Sequence, residues 1–226
     1  MGRFINADAY ASTGQGLLGN NMFVYCGNNP VSYSDPIGKA FLPAMCKFNE
    51  GDNPHYILDQ DDAPFSEIKI GNTTIGENGC GIVAIYNALL SMGKHKPFLD
   101  ICAYFSENPL MISFGGKYGL SAMAVASYFS NNGYKVLVSF DPNEIDACSS
   151  SADAAILLYN FVSGNLGNGD FRIGGHFIEY ALCEEGYIGR NTASTSGITH
   201  FTSPSGYGYT GNRFFAMGIL VYIFPN

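Results

Sequence analysis

Apolar and polar positions divide this chain into a helical part followed by a strand-rich part. In the first part, apolar residues recur at the three- and four-residue spacing of buried helices. Pro97 suits a first helical turn, and Ser121 is a typical N-cap residue. The pattern predicts helices over three segments, 80–91, 97–108 and 121–132.

The later apolar segments are rich in β-branched and aromatic residues and are separated by Gly, Asn and Asp turns. They predict five strands, over 134–140, 154–161, 176–183, 186–191 and 214–224. Because the helices come first and antiparallel strands follow, the fold class predicted is α+β.

Composition excludes two classes of partner. The net charge is −8, and no basic patch is visible that would bind nucleic acid. The longest apolar run, 214–224, is far shorter than the roughly 20 residues of a membrane-spanning helix. The N-terminus lacks the apolar core of a signal peptide, so we expect any export to use another route or a larger protein.

The first 38 residues are rich in turns and contain several short motifs. Arg3-Phe4 is followed by Asp8, Tyr25 precedes Asn28-Asn29-Pro30, and the segment closes on Asp35-Pro36-Ile37-Gly38. These motifs closely resemble the end of the RHS/YD-repeat core. In that family the core forms a large β-shell, and a variable effector, commonly a toxin, follows it.

This resemblance implies a division of the chain into three parts. Residues 1–38 would be the end of the RHS core, 39–69 a linker, and 70–226 an effector domain. It also implies partners and a location: the RHS shell of a longer toxin, a cognate immunity protein, and secretion or delivery into a target cell as part of the larger protein.

Cys80 is the first candidate for chemistry in the effector part. It stands between Gly79 and Gly81 at the start of the first predicted helix. A helix N-terminus lowers the pKa of a thiol, and flanking glycines would let a substrate approach the Cys80 backbone N–H. A small apolar residue that only packs at a helix start would give the same pattern.

His176 and Asn191 are the candidates for its partners. His176 opens an apolar strand after two glycines, whereas the other histidines lie in polar contexts. Asn191 ends the next predicted strand, and a hairpin through 183–186 would bring it back beside His176. An amide there can orient an imidazole that serves as a base.

Taken together, these residues resemble the papain-like cysteine peptidases, most of all the bacterial forms related to bacteriocin-leader-processing peptidases. The resemblance implies a nucleophile on a central helix, an antiparallel sheet that carries His and Asn, and an acyl-thioester on Cys80. The family usually has a Gln in the oxyanion hole. Thr74 stands at that position here, and Thr74, Asn78 or Asn72 is the candidate to replace it.

Three functions remain open at this point: a peptidase toxin acting on a protein or peptide, a deamidase or transglutaminase using the same site, and an inactive papain-like binding domain. No cofactor or metal is expected, since the six cysteines include no CxxC pair. Glu179, Glu184 and Glu185 are expected to be solvated charges.

Overall fold

A computed structural model describes residues 33–34, 42–43, 55–62, 64–108, 111–112, 119–165 and 170–223. In chain order the elements are β1 (Tyr33–Ser34), β2 (Leu42–Pro43), a 3₁₀ turn (Phe65–Glu67), β3 (Lys69–Ile70), β4 (Thr73–Thr74), α1 (Ile75–Asn78), α2 (Cys80–Ser91), α3 (Phe98–Glu107), α4 (Ala122–Asn131), β5 (Lys135–Ser139), α5 (Pro142–Ser149), β6 (Ala154–Asn165), β7 (Asp170–Cys183), β8 (Gly186–Arg190), β9 (Ile198–Phe201), α6 (Pro204–Gly208) and β10 (Arg213–Tyr222). Apart from β1, the predicted RHS tail at 1–38 lies outside the described residues, as does much of the predicted linker.

The chain forms two compact units. The first contains the described parts of 1–54, 60–79 and 97–120, and the second contains 55–59, 80–96 and the described residues from 121 onward. In the first unit β1 pairs antiparallel with β2 and β3 with β4, and α3 packs on β3. Among the helices that the structure describes, none combines the length and the apolar character that a membrane-spanning helix needs.

The second unit is built on one antiparallel sheet with the strand order β5-β10-β6-β7-β8-β9. Successive side chains of a strand point to opposite faces of the sheet. On β7, Glu179 hydrogen bonds to Ser91 of α2, whereas Ile178 and Tyr180 pack in a core cluster with Ile145 of α5. Helices therefore cover both faces of the sheet.

These elements confirm the predicted α+β class. The three predicted helices are present, and Ser121 caps α4 by accepting from the N–H of Ala124. The predicted turn at 183–186 is also present, because Cys183 pairs with Gly186. Sequence patterns missed α5, although Asp141 and Pro142 supply its N-cap and first residue.

The predicted start of the His176 strand is wrong. The strand begins at Asp170, so His176 lies in its interior and does not open it. The two preceding glycines belong to the ladder, where Gly174 pairs with Phe161. A Cβ on Gly174 would lie 2.6 Å from the Phe161 ring, so this glycine gives the ring its space and does not end the strand.

Glu179 is also not the solvated charge that the sequence suggested. Its side chain is fully buried, and its carboxylate accepts hydrogen bonds from Arg190 Nη1 at 2.7 Å and Ser91 Oγ at 2.6 Å. The Arg190 guanidinium in turn lies 3.9 Å from the centre of the Tyr56 ring. Burial raises the pKa of Glu179, against the opposing effects of Arg190 and Ser91.

We predict that Glu179→Gln lowers the free energy of unfolding by about 3 kcal/mol, because it leaves the Arg190 charge without its partner in a buried site. Glu184→Gln is the matched control, since Glu184 is exposed, and should change stability by no more than about 0.5 kcal/mol. Urea unfolding of both variants gives the comparison. Equal effects would mean that the ion pair contributes nothing to stability.

Candidate active site

Cys80 is the first residue of α2, and its side chain is half-buried. The next nine residues of this helix are buried, and the helix packs on β6 and β7. The first N–H groups of a helix have no acceptor within the helix, and together with the helix dipole they favour negative charge. The sulfur therefore lies where a thiolate is stabilised.

Packing within the first unit explains why a glycine stands at position 79, before the cysteine. It is buried at the end of α1, and a Cβ at this position would lie 2.5 Å from Ile75 Cα. Gly81 is buried in the first turn of α2. Close packing at Gly79, rather than access for a substrate, thus accounts for a glycine before the cysteine.

His176 is brought to Cys80 by β7, and the two side chains are hydrogen-bonded. The His176 Nε2 atom lies 2.6 Å from the backbone carbonyl oxygen of Asn191. A carbonyl only accepts, so Nε2 carries a proton and donates it. Nδ1 is therefore the ring nitrogen that hydrogen bonds to the Cys80 sulfur.

Strand β7 provides another donor for the sulfur at the point where its pairing with β8 ends. The ladder between β7 and β8 stops at the pair of Glu179 and Arg190, so Phe177 lies beyond it. The backbone N–H groups of Phe177 and Gly81 hydrogen bond to the Cys80 sulfur. The sulfur is thus held by an imidazole and by two main-chain N–H groups.

These contacts move the two pKa values in opposite directions. Burial alone would raise the pKa of Cys80, but the hydrogen bond and charge of His176, with the N–H groups of Phe177 and Gly81, lower it below the ordinary value. Burial alone would lower the pKa of His176, but the Cys80 sulfur and the Asn191 carbonyl raise it. Both shifts are in the direction that favours a thiolate beside an imidazolium, and the thiolate is the reactive form of a thiol.

Asn191 lies beside His176, but the described hydrogen bond uses its main chain. The residue is buried and has a φ of 57°, a left-handed conformation that Asn adopts more readily than most residues. Just beyond it, the Thr192 N–H donates to the Gly197 carbonyl and closes the loop. The expectation that the Asn191 carboxamide orients the imidazole stays a prediction.

The oxyanion candidates Thr74 and Asn78 belong to the first unit. Thr74 caps α1, where its Oγ1 accepts from the Glu77 N–H. Asn78 donates from Nδ2 to Thr73 Oγ1 at 2.9 Å. Both side chains thus have hydrogen-bond partners of their own, and the role assigned to them stays a prediction.

Sequence reasoning missed two contributors to this site. Phe177 donates through its main chain, which no residue type reveals. Tyr159 packs against the His176 ring from β6 with ring centres 5.7 Å apart, and only the register of β6 and β7 shows that contact. Across the residues that the structure describes, no group of three or more His, Cys, Asp or Glu could hold a metal ion.

We predict that iodoacetamide modifies Cys80 at least about tenfold faster than Cys183 at a pH below the ordinary thiol pKa of about 8.5, because the contacts of Cys80 lower its pKa and so raise its thiolate fraction. Cys183 is a matched comparison, since its sulfur lies 3.9 Å from His200 Nδ1 but in a strand. Peptide mapping by mass spectrometry separates the two sites. His176→Gln should remove the preference, and a preference that survives this change contradicts the proposed pairing.

A pair of substitutions tests how Asn191 acts. If its carbonyl orients His176, Asn191→Gly keeps the left-handed backbone and should retain the fast modification of Cys80 at low pH. Asn191→Ala should lose stability by about 1–2 kcal/mol, because Ala lacks the short polar side chain that lets Asn adopt the left-handed conformation. Loss of Cys80 reactivity in the Gly variant to the level of His176→Gln would instead assign the role to the carboxamide.

Two comparisons with known proteins found no relative of this chain. No protein-family model matches this chain, and a search of curated proteins found no match.

Proposed function

We propose that this chain is the effector of an RHS-type polymorphic toxin, and that it acts as a papain-like cysteine peptidase or amidohydrolase. The observation that carries the proposal is the hydrogen-bonded pair of Cys80 and His176, whose pKa values move in the directions that produce a thiolate and an imidazolium. The α+β architecture, with the cysteine at a helix N-terminus and the histidine on an antiparallel sheet, supports it.

The reaction would proceed through a thioester. The Cys80 thiolate attacks the carbonyl carbon of an amide, and the carbonyl oxygen becomes an oxyanion. The His176 imidazolium gives its Nδ1 proton to the leaving nitrogen as the C–N bond breaks, which leaves an acyl-thioester. Water then attacks the thioester while His176 takes a proton, and the C–S bond breaks to return the thiolate and release an acid.

Main-chain donors near the sulfur favour this chemistry. The N–H groups of Phe177 and Gly81 already point to the sulfur, and the first turn of α2 adds positive potential. Fixed dipoles of this kind stabilise a developing oxyanion, and in acyl transfer they commonly lower the barrier more than any other group of the enzyme. The proposed reaction would thus draw on main-chain dipoles and would not require the side chains of Thr74 or Asn78.

The motifs at 1–38 support the toxin part of the proposal. The larger protein would enclose the effector in its RHS shell and deliver it to a competing cell, and a cognate immunity protein would bind it in the producing cell. The proposed substrate is a protein or peptide of the target cell.

The proposal predicts that expression of the chain inside bacteria stops growth and that Cys80→Ala abolishes this effect. Cys148→Ala is the control, because Cys148 is another half-buried cysteine, on α5. Both variants should accumulate and show the circular dichroism of the unchanged protein. Growth arrest by a folded Cys80→Ala variant at the unchanged level would overturn the proposal.

Mass spectrometry of lysates treated with the chain or with its Cys80→Ala variant identifies the reaction. New peptide termini that depend on Cys80 are expected for a peptidase. Conversion of Gln side chains to Glu or to cross-links, without new termini, would instead indicate a deamidase or transglutaminase. No Cys80-dependent change of either kind would favour a binding domain and contradict catalysis.

A further inference from the structure

A tyrosine from the neighbouring strand packs against the candidate base. Tyr159 on β6 pairs directly with His176 on β7, and their ring planes meet at 61° with centres 5.7 Å apart. Tyr159 is only 2% exposed, so its ring is fixed by the core around it. One side of the imidazole is therefore packed against a rigid aromatic ring.

A bulge in β10 places an arginine behind this tyrosine. Ala216 pairs with Tyr159 and Phe215 with Asn160, but the next pair is Arg213 with Phe161, so Phe214 is an extra residue. In a regular ladder Phe214 would face Phe161, and Arg213 would point to the other face of the sheet. The bulge therefore moves Arg213 to the face that carries Tyr159.

Arg213 is held firmly in this position. Its guanidinium carbon lies 4.5 Å from the centre of the Tyr159 ring and 3.9 Å from that of Tyr207. Its Nη1 donates to the Tyr207 carbonyl at 3.0 Å, and its Nη2 donates to the Tyr207 hydroxyl at 3.1 Å. The planar fork of an arginine matches both partners, and a lysine would provide only the charge.

We propose that Tyr159 and Arg213 are positioning residues of the site. The Tyr159 ring holds the His176 imidazole in the orientation in which Nδ1 faces the Cys80 sulfur, and Arg213 places a permanent positive charge behind the Tyr159 ring. This inference deepens the proposed function, since it concerns the base of the same site. The bulge at Phe214 then has a role in the site, because it brings the Arg213 charge to the face of the sheet that carries Tyr159.

The charge of Arg213 limits how strongly the imidazole holds its proton. The groups that face His176 are the Cys80 sulfur from α2, the Asn191 carbonyl after β8, and the Tyr159 ring from β6, with Arg213 behind that ring. The sulfur and the carbonyl raise the pKa of His176, whereas Arg213 lowers it. Because an imidazolium that is too stable is a poor acid, the opposing charge keeps the proton transferable.

The test is an NMR titration of histidine labelled at Cε1, with the His176 resonance assigned from His176→Gln. In Arg213→Gln we expect the midpoint of His176 to rise by about half to one pH unit, the effect of one screened charge near a partly buried group. Arg213→Lys keeps the charge and should leave the midpoint within about 0.3 units of the unchanged protein. Tyr159→Phe keeps the ring and should also leave it unchanged.

Arg172→Gln is the matched control, because Arg172 is an exposed arginine of the same sheet and its loss removes one charge from the whole protein. The His176 midpoint in this variant should equal the midpoint in the unchanged protein. Equal midpoints in the two Gln variants would overturn the inference. If Arg213→Gln fails to fold, Arg213→Lys decides, since a midpoint raised by more than about half a unit in this charge-retaining variant contradicts the role of the charge.

This readout is independent of catalysis. A chain that cleaves no substrate would still show the Arg213 shift, so failure of the proposed function leaves the titration interpretable. Conversely, a functional peptidase in which the His176 midpoint ignores Arg213 would refute only the positioning role.

Discussion

The hydrogen bond between the Cys80 sulfur and the His176 imidazole is the interaction on which this interpretation of the second unit depends. Burial opposes both charges, so neither the thiolate nor the imidazolium would be favoured alone. Each charge is stabilised by the other and by main-chain groups, with N–H groups at the sulfur and the Asn191 carbonyl at the far ring nitrogen. The helix N-terminus adds potential of the correct sign.

The sheet holds these groups in register. Strand β7 carries both His176 and Glu179, and Glu179 is bonded to Ser91 at the last residue of α2. The same helix that begins at Cys80 is therefore tied to β7 at its far end by a buried carboxylate. Arg190, which pairs with Glu179, directly precedes Asn191, so this ion pair also fixes the strand end from which the Asn191 carbonyl reaches the imidazole.

Local signals in the sequence predicted much of this fold. Periodicity and caps gave the three main helices, with α2 at the predicted bounds, and the short turn that ends at Gly186 gave the hairpin after Cys183. Pairwise features were not predictable in the same way. The burial of Glu179 depends on Arg190, a partner on the neighbouring strand, and the bulge at Phe214 depends on strand register, so neither appears in the pattern of a single segment.

The candidate site shows the same division. Cys80, His176 and Asn191 were predicted from residue type and from strand arithmetic, whereas the main-chain donor at Phe177 and the left-handed backbone of Asn191 are properties of the folded chain. The central claim is that His176 lowers the pKa of Cys80 and so favours its thiolate. Titration of the thiolate by ultraviolet absorbance tests it most directly. The absorbance that Cys80→Ser removes should already appear at a pH below the ordinary thiol pKa of about 8.5, and His176→Gln should move the midpoint of this signal to higher pH. A Cys80 thiolate that forms only near that ordinary value in the unchanged protein would contradict the claim.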